Sequence, residues 1–302
     1  MLDNISPILR AMLGLKRILC FHHKDGDGFC SAAIVRQFFS REVKFYGMDY
    51  KTQFPFDDIR PGDGIIIVDF SPNSSSDFAR MLEITEYIVW IDHHKTAIEK
   101  HNHFDYIEGK REVGTAACML TWQYFNGPKQ PPRAVELLAD YDVWTFVYGD
   151  ETRGFQAGMR TLDMRPQNHV LWNNLLDDNF DHLRGIENVG RIINDYNKTT
   201  WERMLRAIGY RTTLDGLKCV ACNVQGSSAA FESLNDTSVD AVIVYGHSGD
   251  SFKVTIYSHK EGVDVSRVAS AHGGGGHAGA AGFFCKSLPF KFEKKLAMED
   301  FK

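Results

Sequence analysis

Histidines and aspartates gather in four short segments of this chain. The first, "HHKDGDG", carries His22, His23, Asp25 and Asp27. The second is Asp69 in "IIIVDF", and the third is "DHH", Asp92, His93 and His94. The fourth closes "AVELLADYD" with Asp140 and Asp142. Carboxylate oxygen mixed with imidazole nitrogen is a donor set for Mn²⁺, Mg²⁺, Fe²⁺ or Zn²⁺, and the lack of thiolates among these residues argues against a structural zinc knot. Ionised carboxylates within ~5 Å of one another repel, and divalent cations remove that conflict. An aspartate shared by two cations would set them ~3.5–4 Å apart, the spacing of two-metal phosphoryl-transfer sites. Each segment alone has a plainer explanation. Asp69 before "SPNSS" could cap a helix, "DGDG" could be a polar turn or part of a calcium loop, and Asp142 could be a surface carboxylate. "DHH" directly after an apolar run meets no packing need, and the four segments together outweigh the plain explanations.

The elements that must position these residues can be read around them. The runs "RILCFH", "VKFYG", "GIIIVDF" and "YIVWID" have strand length, and segments of helical character lie between them, such as residues 30–39 and 77–85. This alternation predicts an α/β fold with a parallel sheet covered on both faces. "IIIV" is apolar without alternation, as a doubly buried strand would be. In open parallel sheets ligands bind at the carboxyl ends of the strands, so the acidic segments would converge on one crevice. Further helices are expected over residues 115–125 and, after the breaker "GPKQPP", over 133–141. Residues 150–185 are polar and rich in Asn and Asp. The apolar residues Val189, Ile192, Ile193, Tyr196, Trp201, Met204, Leu205 and Ile208 then recur at helical spacing, predicting a long helix that joins two domains. Beyond it the texture is that of strands: "GLKCVACNV", "DAVIVYG" and "FKVTIYS", the last two joined by a hairpin loop at "HSGD". A short helix over 264–271 leads into "HGGGGHAGAAGFF", in which "GGGGH" gives a backbone without Cβ atoms that can bring N–H groups close to a phosphate and the small residues of "HAGAAGFF" suit close helix packing. The expected division is a domain over 1–187, a linker helix over 188–209 and a smaller α/β domain over 210–302.

With 302 residues the chain can bury a sizeable core in two domains. Its net charge of −5 excludes a general polyanion binder, so any nucleotide must be met by local cations. The region 253–302 is mildly basic, with eight Lys/Arg against five Asp/Glu. The sequence has neither a leader pattern nor an apolar run of ~18 residues, and its six cysteines are scattered, so a cytoplasmic protein with reduced thiols and no membrane partner is expected. Cys219 and Cys222 form a lone CxxC with no second ligand pair and no helix start after it, which reads as two buried strand cysteines.

Taken together, "HKDGDG" (23–28), "VDFS" (68–71), "IDHH" (91–94), "LLADYD" (137–142) and "GGGGHAGAAGF" (273–283) resemble, in order, the motifs of the DHH phosphoesterase superfamily with a C-terminal domain of the DHHA1 type. The resemblance spans nearly the whole chain. It implies an N-terminal parallel-sheet DHH domain, a linker helix and a DHHA1-like domain, with the active site in the cleft between them. It also implies that His23 and Asp25 ligate one metal and Asp27 and His93 the second, that Asp69 bridges them, and that Asp92 supports His93. His94 would meet the substrate phosphate, so that His94, Asp69 and Asp92 form the catalytic set. The remaining ligand matches Asp140, with Asp142, equally suited by charge, as the alternate. Gly274, Gly275, Gly276 and His277, with Arg267 on the preceding helix, would grip the substrate. The implied cofactors are two divalent ions, Mn²⁺ first, with Mg²⁺, Co²⁺ or Fe²⁺ as alternatives. The implied reaction is hydrolysis of short single-stranded RNA or DNA, or of dinucleotides, by a hydroxide held between the metals. A phosphomonoesterase or pyrophosphatase acting on small nucleotides or inorganic phosphates is the alternative, followed by a nucleotide-binding protein without catalysis; an oligomer is compatible with any of these. Family members with nanoRNase or pAp-phosphatase activity often carry a proline before the first aspartate and "DAxGS" after it. "HHKDGDGFCSA" departs from that pattern, which leaves the exact substrate open.

Overall fold

The structure, a computed structural model, describes residues 6–39, 41–50, 52–224, 228–231 and 233–301. The chain divides into two compact units, Met1–Ile193 and Asn194–Lys302. Among the described residues no helix is long and apolar enough to cross a membrane.

The first unit runs α1 (Pro7–Gly14), β1 (Ile18–His23), α2 (Gly26–Phe39), β2 (Lys44–Met48), β3 (Gly64–Val68), α3 (Ser75–Ile84), β4 (Ile88–Ile91), α4 (Lys95–Lys100), α5 (Ala117–Asn126), α6 (Arg133–Asp142), α7 (Asp150–Met159) and α8 (His169–Leu176). α9 (Phe180–Ile208) continues into the second unit. The four strands pair in parallel in the order β2-β1-β3-β4. Period-2 alternation splits β1, β3 and β4 each between two cores. Ile18, Cys20, Ile66, Val68, Val89 and Ile91 face one layer with residues of α2, α5 and α6. Leu19, Phe21, Ile65, Ile67, Ile88 and Trp90 face the other, with Phe78 and Met81 of α3. This double burial is why "IIIV" shows no alternation, at ~1.5–3 kcal/mol for each large aliphatic side chain removed from water. The same alternation sorts the paired histidines. His22 is turned inward, 2% exposed beside Phe29 and Phe45, while His23 points off the strand end.

The segment 150–185 is more helical than its polar composition suggests. α7 and α8 fall in it, and α9 begins at Phe180 rather than at 188. The signal for α7 was blurred by Gly154 and Gly158, but these glycines let helices touch. A Cβ on Gly190 of α9 would come 1.8 Å from the Gly154 carbonyl oxygen, and one on Gly158 would come 2.0 Å from that of Ile186.

The second unit holds a seven-stranded sheet in the order β11-β5-β6-β7-β8-β10-β9. Its strands are β5 (Tyr210–Leu214), β6 (Leu217–Cys222), β7 (Ala241–Ser248), β8 (Ser251–Ser258), β9 (Gly275–His277), β10 (Ala280–Cys285) and β11 (Lys294–Lys295), with α10 (Val265–Ala271) between β8 and β9. β6 pairs with β7 in parallel and the other pairs are antiparallel. The hairpin at "HSGD" tightens to a turn at Gly249 and Asp250, with Gly249 at φ 65°, as a two-residue connection requires. Cys219 and Cys222 are free, buried strand residues. "GGGGHAGAAGFF", including the part "HAGAAGFF" expected to pack against helices, is strand rather than a helix-packing segment. It forms β9 and β10, in which the absence of side chains lets two backbones close together: a Cβ on Gly274 would lie 2.1 Å from the Gly282 carbonyl oxygen.

Candidate metal centre

The carboxyl ends of β1, β3 and β4 meet, as the parallel order requires, and each hands its acidic residues to a different local structure. After β1 the chain turns into α2. Asp25 Oδ1 accepts from the Gly28 N–H at 2.9 Å, in the manner of a helix cap, and Asp25 Oδ2 lies 2.6 Å from His23 Nδ1. Asp27, inside the first turn, is buried and accepts from the N–H groups of Ala117 and Cys118 at 2.8 and 2.7 Å. These are orphan donors at the start of α5, so a helix N-terminus supports the carboxylate. After β3, Asp69 takes φ 53°, an uncommon conformation for a residue other than glycine, though one that aspartate tolerates better than most.

After β4, Asp92 is wholly buried and fully used. Its Oδ1 accepts from the N–H groups of His93 and His94 at 2.8 and 3.0 Å and lies 2.8 Å from His94 Nδ1, while its Oδ2 accepts from the Trp90 indole at 3.3 Å. The ring it orients is that of His94; its support of His93, which the resemblance implied, runs through the backbone N–H. His93 faces the acids directly. Its Nε2 is 3.6 Å from Asp27 Oδ2, 3.3 Å from Asp69 Oδ1 and 3.4 Å from Asp142 Oδ2.

Of the two aspartates that end α6, the structure brings Asp142 to this cluster and turns Asp140 away. Asp140 accepts from the hydroxyls of Thr145 and Thr152 and from the N–H groups of Val147 and Tyr148. With both oxygens engaged it faces the loop 143–149 and the start of α7. Residues two apart on a helix point ~200° apart, so only one of them can face a common point.

The result is three overlapping groups whose donor atoms lie within 4.8 Å of one another: His23, Asp25 and Asp69; Asp69, His93 and His94; Asp27, His93 and Asp142. Asp69 and His93 each belong to two. The Oδ2 of Asp69 is buried with no hydrogen-bond partner. Burial, then the charges of Asp27, Asp25, Asp142 and Asp92, push the Asp69 carboxyl well above the usual range. Burial and then Asp27 and Asp25 push Asp142 up to about 8. Burial also raises Asp27. Burial would raise Asp25, but hydrogen bonds from His23 and Gly28 outweigh it and bring it down to about 2. The hydrogen bond to Asp92 raises His94, whereas burial lowers His93. Carboxylates so placed cannot all ionise unless a cation joins them. The oxygen–nitrogen donors and the orphaned Asp69 oxygen fit one or more divalent ions.

Tyr50, which sequence reasoning missed, stands beside the cluster. Its ring centroid is 5.8 Å from that of His23 and 6.3 Å from that of His94. Its signal was its place two residues past the end of β2. In the second unit the substrate contacts expected from the sequence lie in the open. Gly275, Gly276 and His277 form the exposed edge strand β9, the adjacent Gly274 is exposed, and the side chain of Arg267, on α10, is 88% exposed with Asp264 3.6 Å away.

Residues 17–142 match the family model described as "DHH family, N-terminal domain", so this part of the chain is similar to that domain. Oligoribonuclease NrnB of Bacillus subtilis is 21% identical over 294 residues, spanning 87% of this chain and 71% of that protein. Two solved structures share the α/β fold. One is the DHH domain of a protein described as a member of a family of ribosomal proteins, with TM-score 0.57 and 13% identity over 92% of this chain and 85% of that one. The other is the pGpG-specific phosphodiesterase PggH from Vibrio cholerae, with TM-score 0.52 and 12% identity over 89% of this chain and 93% of that one.

Proposed function

We propose that this protein, with its DHH-like domain, hydrolyses phosphodiester bonds in short oligonucleotides or dinucleotides, using two divalent cations held at the strand ends. The observation that carries the reading is Asp69. Its buried carboxylate reaches toward His23 through Oδ2, at 3.9 Å, and toward His93 through Oδ1, at 3.3 Å, and Oδ2 has no hydrogen-bond partner. An ionised oxygen left so is costly unless a cation meets it. In this reading His23, Asp25 and Asp69 hold one cation, and Asp27, His93 and Asp142 hold the other with Asp69. Mn²⁺ is the ion we favour, with Mg²⁺, Co²⁺ and Fe²⁺ compatible with the same donors. When bound, such a pair supplies water activation near neutral pH and charge for the phosphoryl oxygens.

The protein's own groups supply orientation. Asp92 fixes the His94 ring through Nδ1 and favours its protonated form, so that Nε2–H can donate to a phosphoryl oxygen. Asp27 and Asp25 are held by backbone N–H groups, which keeps their oxygens aimed without side-chain rearrangement. In the second unit, Gly274, Gly275, Gly276, His277 and Arg267 are proposed contacts for the substrate. The name of the Bacillus subtilis relative, an oligoribonuclease, supports the substrate class. The test is a panel of a dinucleotide, pAp and pyrophosphate, incubated with EDTA-stripped protein before and after Mn²⁺ is returned, with Asp69→Ala and His93→Ala beside the wild type. We expect cation-dependent cleavage fastest on the dinucleotide and lost by at least ~10³-fold in both variants. Preference for pyrophosphate or pAp would overturn the substrate, and undiminished variants would overturn the site.

A further inference from the structure

The loop that follows Asp142 is held in an unfavourable backbone shape and puts large rings in water. Trp144 sits at φ 60° and Phe146 at φ 49°, a region that bulky residues rarely enter. The Asp140 carboxylate ties the loop down through Thr145, Val147, Tyr148 and Thr152. The rings of Tyr141, Trp144 and Phe146 cluster edge-on, with centroids 5.4 Å apart for Tyr141–Trp144 and 4.7 Å for Trp144–Phe146. Despite that company Trp144 is 65% exposed and the neighbouring Val147 75%. Two guanidinium groups adjoin the rings: Arg153 lies 4.1 Å from the Phe146 centroid and Arg160 5.5 Å from that of Tyr141. Backbone strain concentrates where function uses it, and an exposed apolar patch beside charge asks for an occupant.

Position and charge say which occupant. Trp144 is two residues beyond Asp142, so their Cα atoms lie within ~7.6 Å, and Asp142 itself is part of the acidic cluster. The loop that carries the rings thus leaves α6 directly after a residue of the cluster. Aromatic faces with arginines nearby accept any base by stacking and a phosphodiester backbone by charge. We propose that Tyr141, Trp144 and Phe146 form a base-stacking platform for the nucleotide next to the scissile phosphate of a single-stranded substrate, with Arg153 and Arg160 supplying positive charge. The platform names a specificity element for the phosphodiesterase reading and rests on that reading for its substrate.

The experiment compares wild type, Trp144→Ala and Trp144→Phe. Binding of a fluorescein-labelled phosphorothioate pentanucleotide in Mn²⁺ is followed by anisotropy, with an abasic oligomer of equal length as control, and KM is measured on the unmodified pentanucleotide. Loss of one stacked base should weaken binding and raise KM by ~5- to 150-fold in Trp144→Ala. Trp144→Phe should recover most of the loss, and the abasic oligomer should bind all three alike. An unchanged KM and affinity in Trp144→Ala, or an equal loss for the abasic oligomer, would overturn the platform while leaving the enzyme intact. Base-dependent binding through Trp144 with no turnover would instead overturn the enzymatic reading and keep the platform. If Trp144→Ala converts a dimer to a monomer with oligonucleotide affinity unchanged, the patch is a self-contact and the proposal fails.

Discussion

Asp140 and Asp142, two residues apart on one helix, are predicted to respond to the same substitution with opposite signs. In protein stripped with EDTA at pH 8, Asp140→Asn should destabilise. One of two oxygens that together accept four hydrogen bonds, from Thr145 at 2.6 Å, Thr152 at 2.5 Å, Val147 at 2.7 Å and Tyr148 at 3.3 Å, becomes an amide that faces donors. The cost of such a mismatch is ~2–3 kcal/mol. Those bonds outweigh burial and keep the Asp140 carboxyl below its ordinary range, so its contribution persists at all pH values above ~4. Asp142→Asn should do the reverse. Its carboxyl, pushed from 3.8 to about 8, is neutral and harmless below 3.8, and the cost of ionising it grows as pH rises between those values. At ~1.36 kcal/mol per pH unit the full penalty is ~6 kcal/mol, and because neighbouring carboxylates share the protons we expect a gain of ~2–4 kcal/mol at pH 8 and ~1 kcal/mol at pH 5. Saturating Mn²⁺ should invert the Asp142→Asn effect, since the wild type then gains binding energy that the variant lacks. Urea titrations followed by tryptophan emission are suitable, because Trp90, Trp122, Trp144 and Trp172 lie in the first unit and only Trp201 beyond it. A stabilising Asp140→Asn with a destabilising Asp142→Asn in EDTA would mean that Asp140 faces the acids, and the geometry argued above would be wrong.

Two further outcomes follow from single contacts. Asp92→Asn keeps an acceptor for the backbone N–H groups of His93 and His94 but removes the charge that holds His94 protonated. The alkaline limb of the kcat profile should then move down by ~1 pH unit, with ~10-fold less activity at pH 8; an unmoved profile would exclude His94 as the phosphate-facing cation. Gly190→Ala would drive a Cβ to 1.8 Å from the Gly154 carbonyl oxygen and 2.5 Å from the Gly158 nitrogen, and both are backbone. We expect a loss of at least ~3 kcal/mol in the first unit, seen as a fall in its melting temperature, and a change under ~2 °C would show that α7 and α9 do not touch there.

Local sequence already held much of this protein. Apolar runs of strand length with helices between them specify a parallel sheet, since residues buried on two faces need two covering layers, and the parallel sheet in turn specifies that His23, Asp69 and "DHH" emerge at one edge. The motif spacing carried the resemblance to the DHH superfamily from side chains alone. What the periodicity misjudged was segments rich in glycine and polar residues. α7 and the β9–β10 pair are shaped by what glycine omits, and an absent side chain leaves no pattern until the backbone that fills its space is known. The choice between Asp140 and Asp142 was undecidable from charge and spacing, because both have the same chemistry. It was made by the rotation of α6 against the sheet and by four donors from Thr145, Val147, Tyr148 and Thr152, beside left-handed residues, Trp144 and Phe146, that no propensity would have placed there. Donor types are written in the chain, but which donors share a point depends on helix rotation and loop conformation, and packing over long sequence distances sets both.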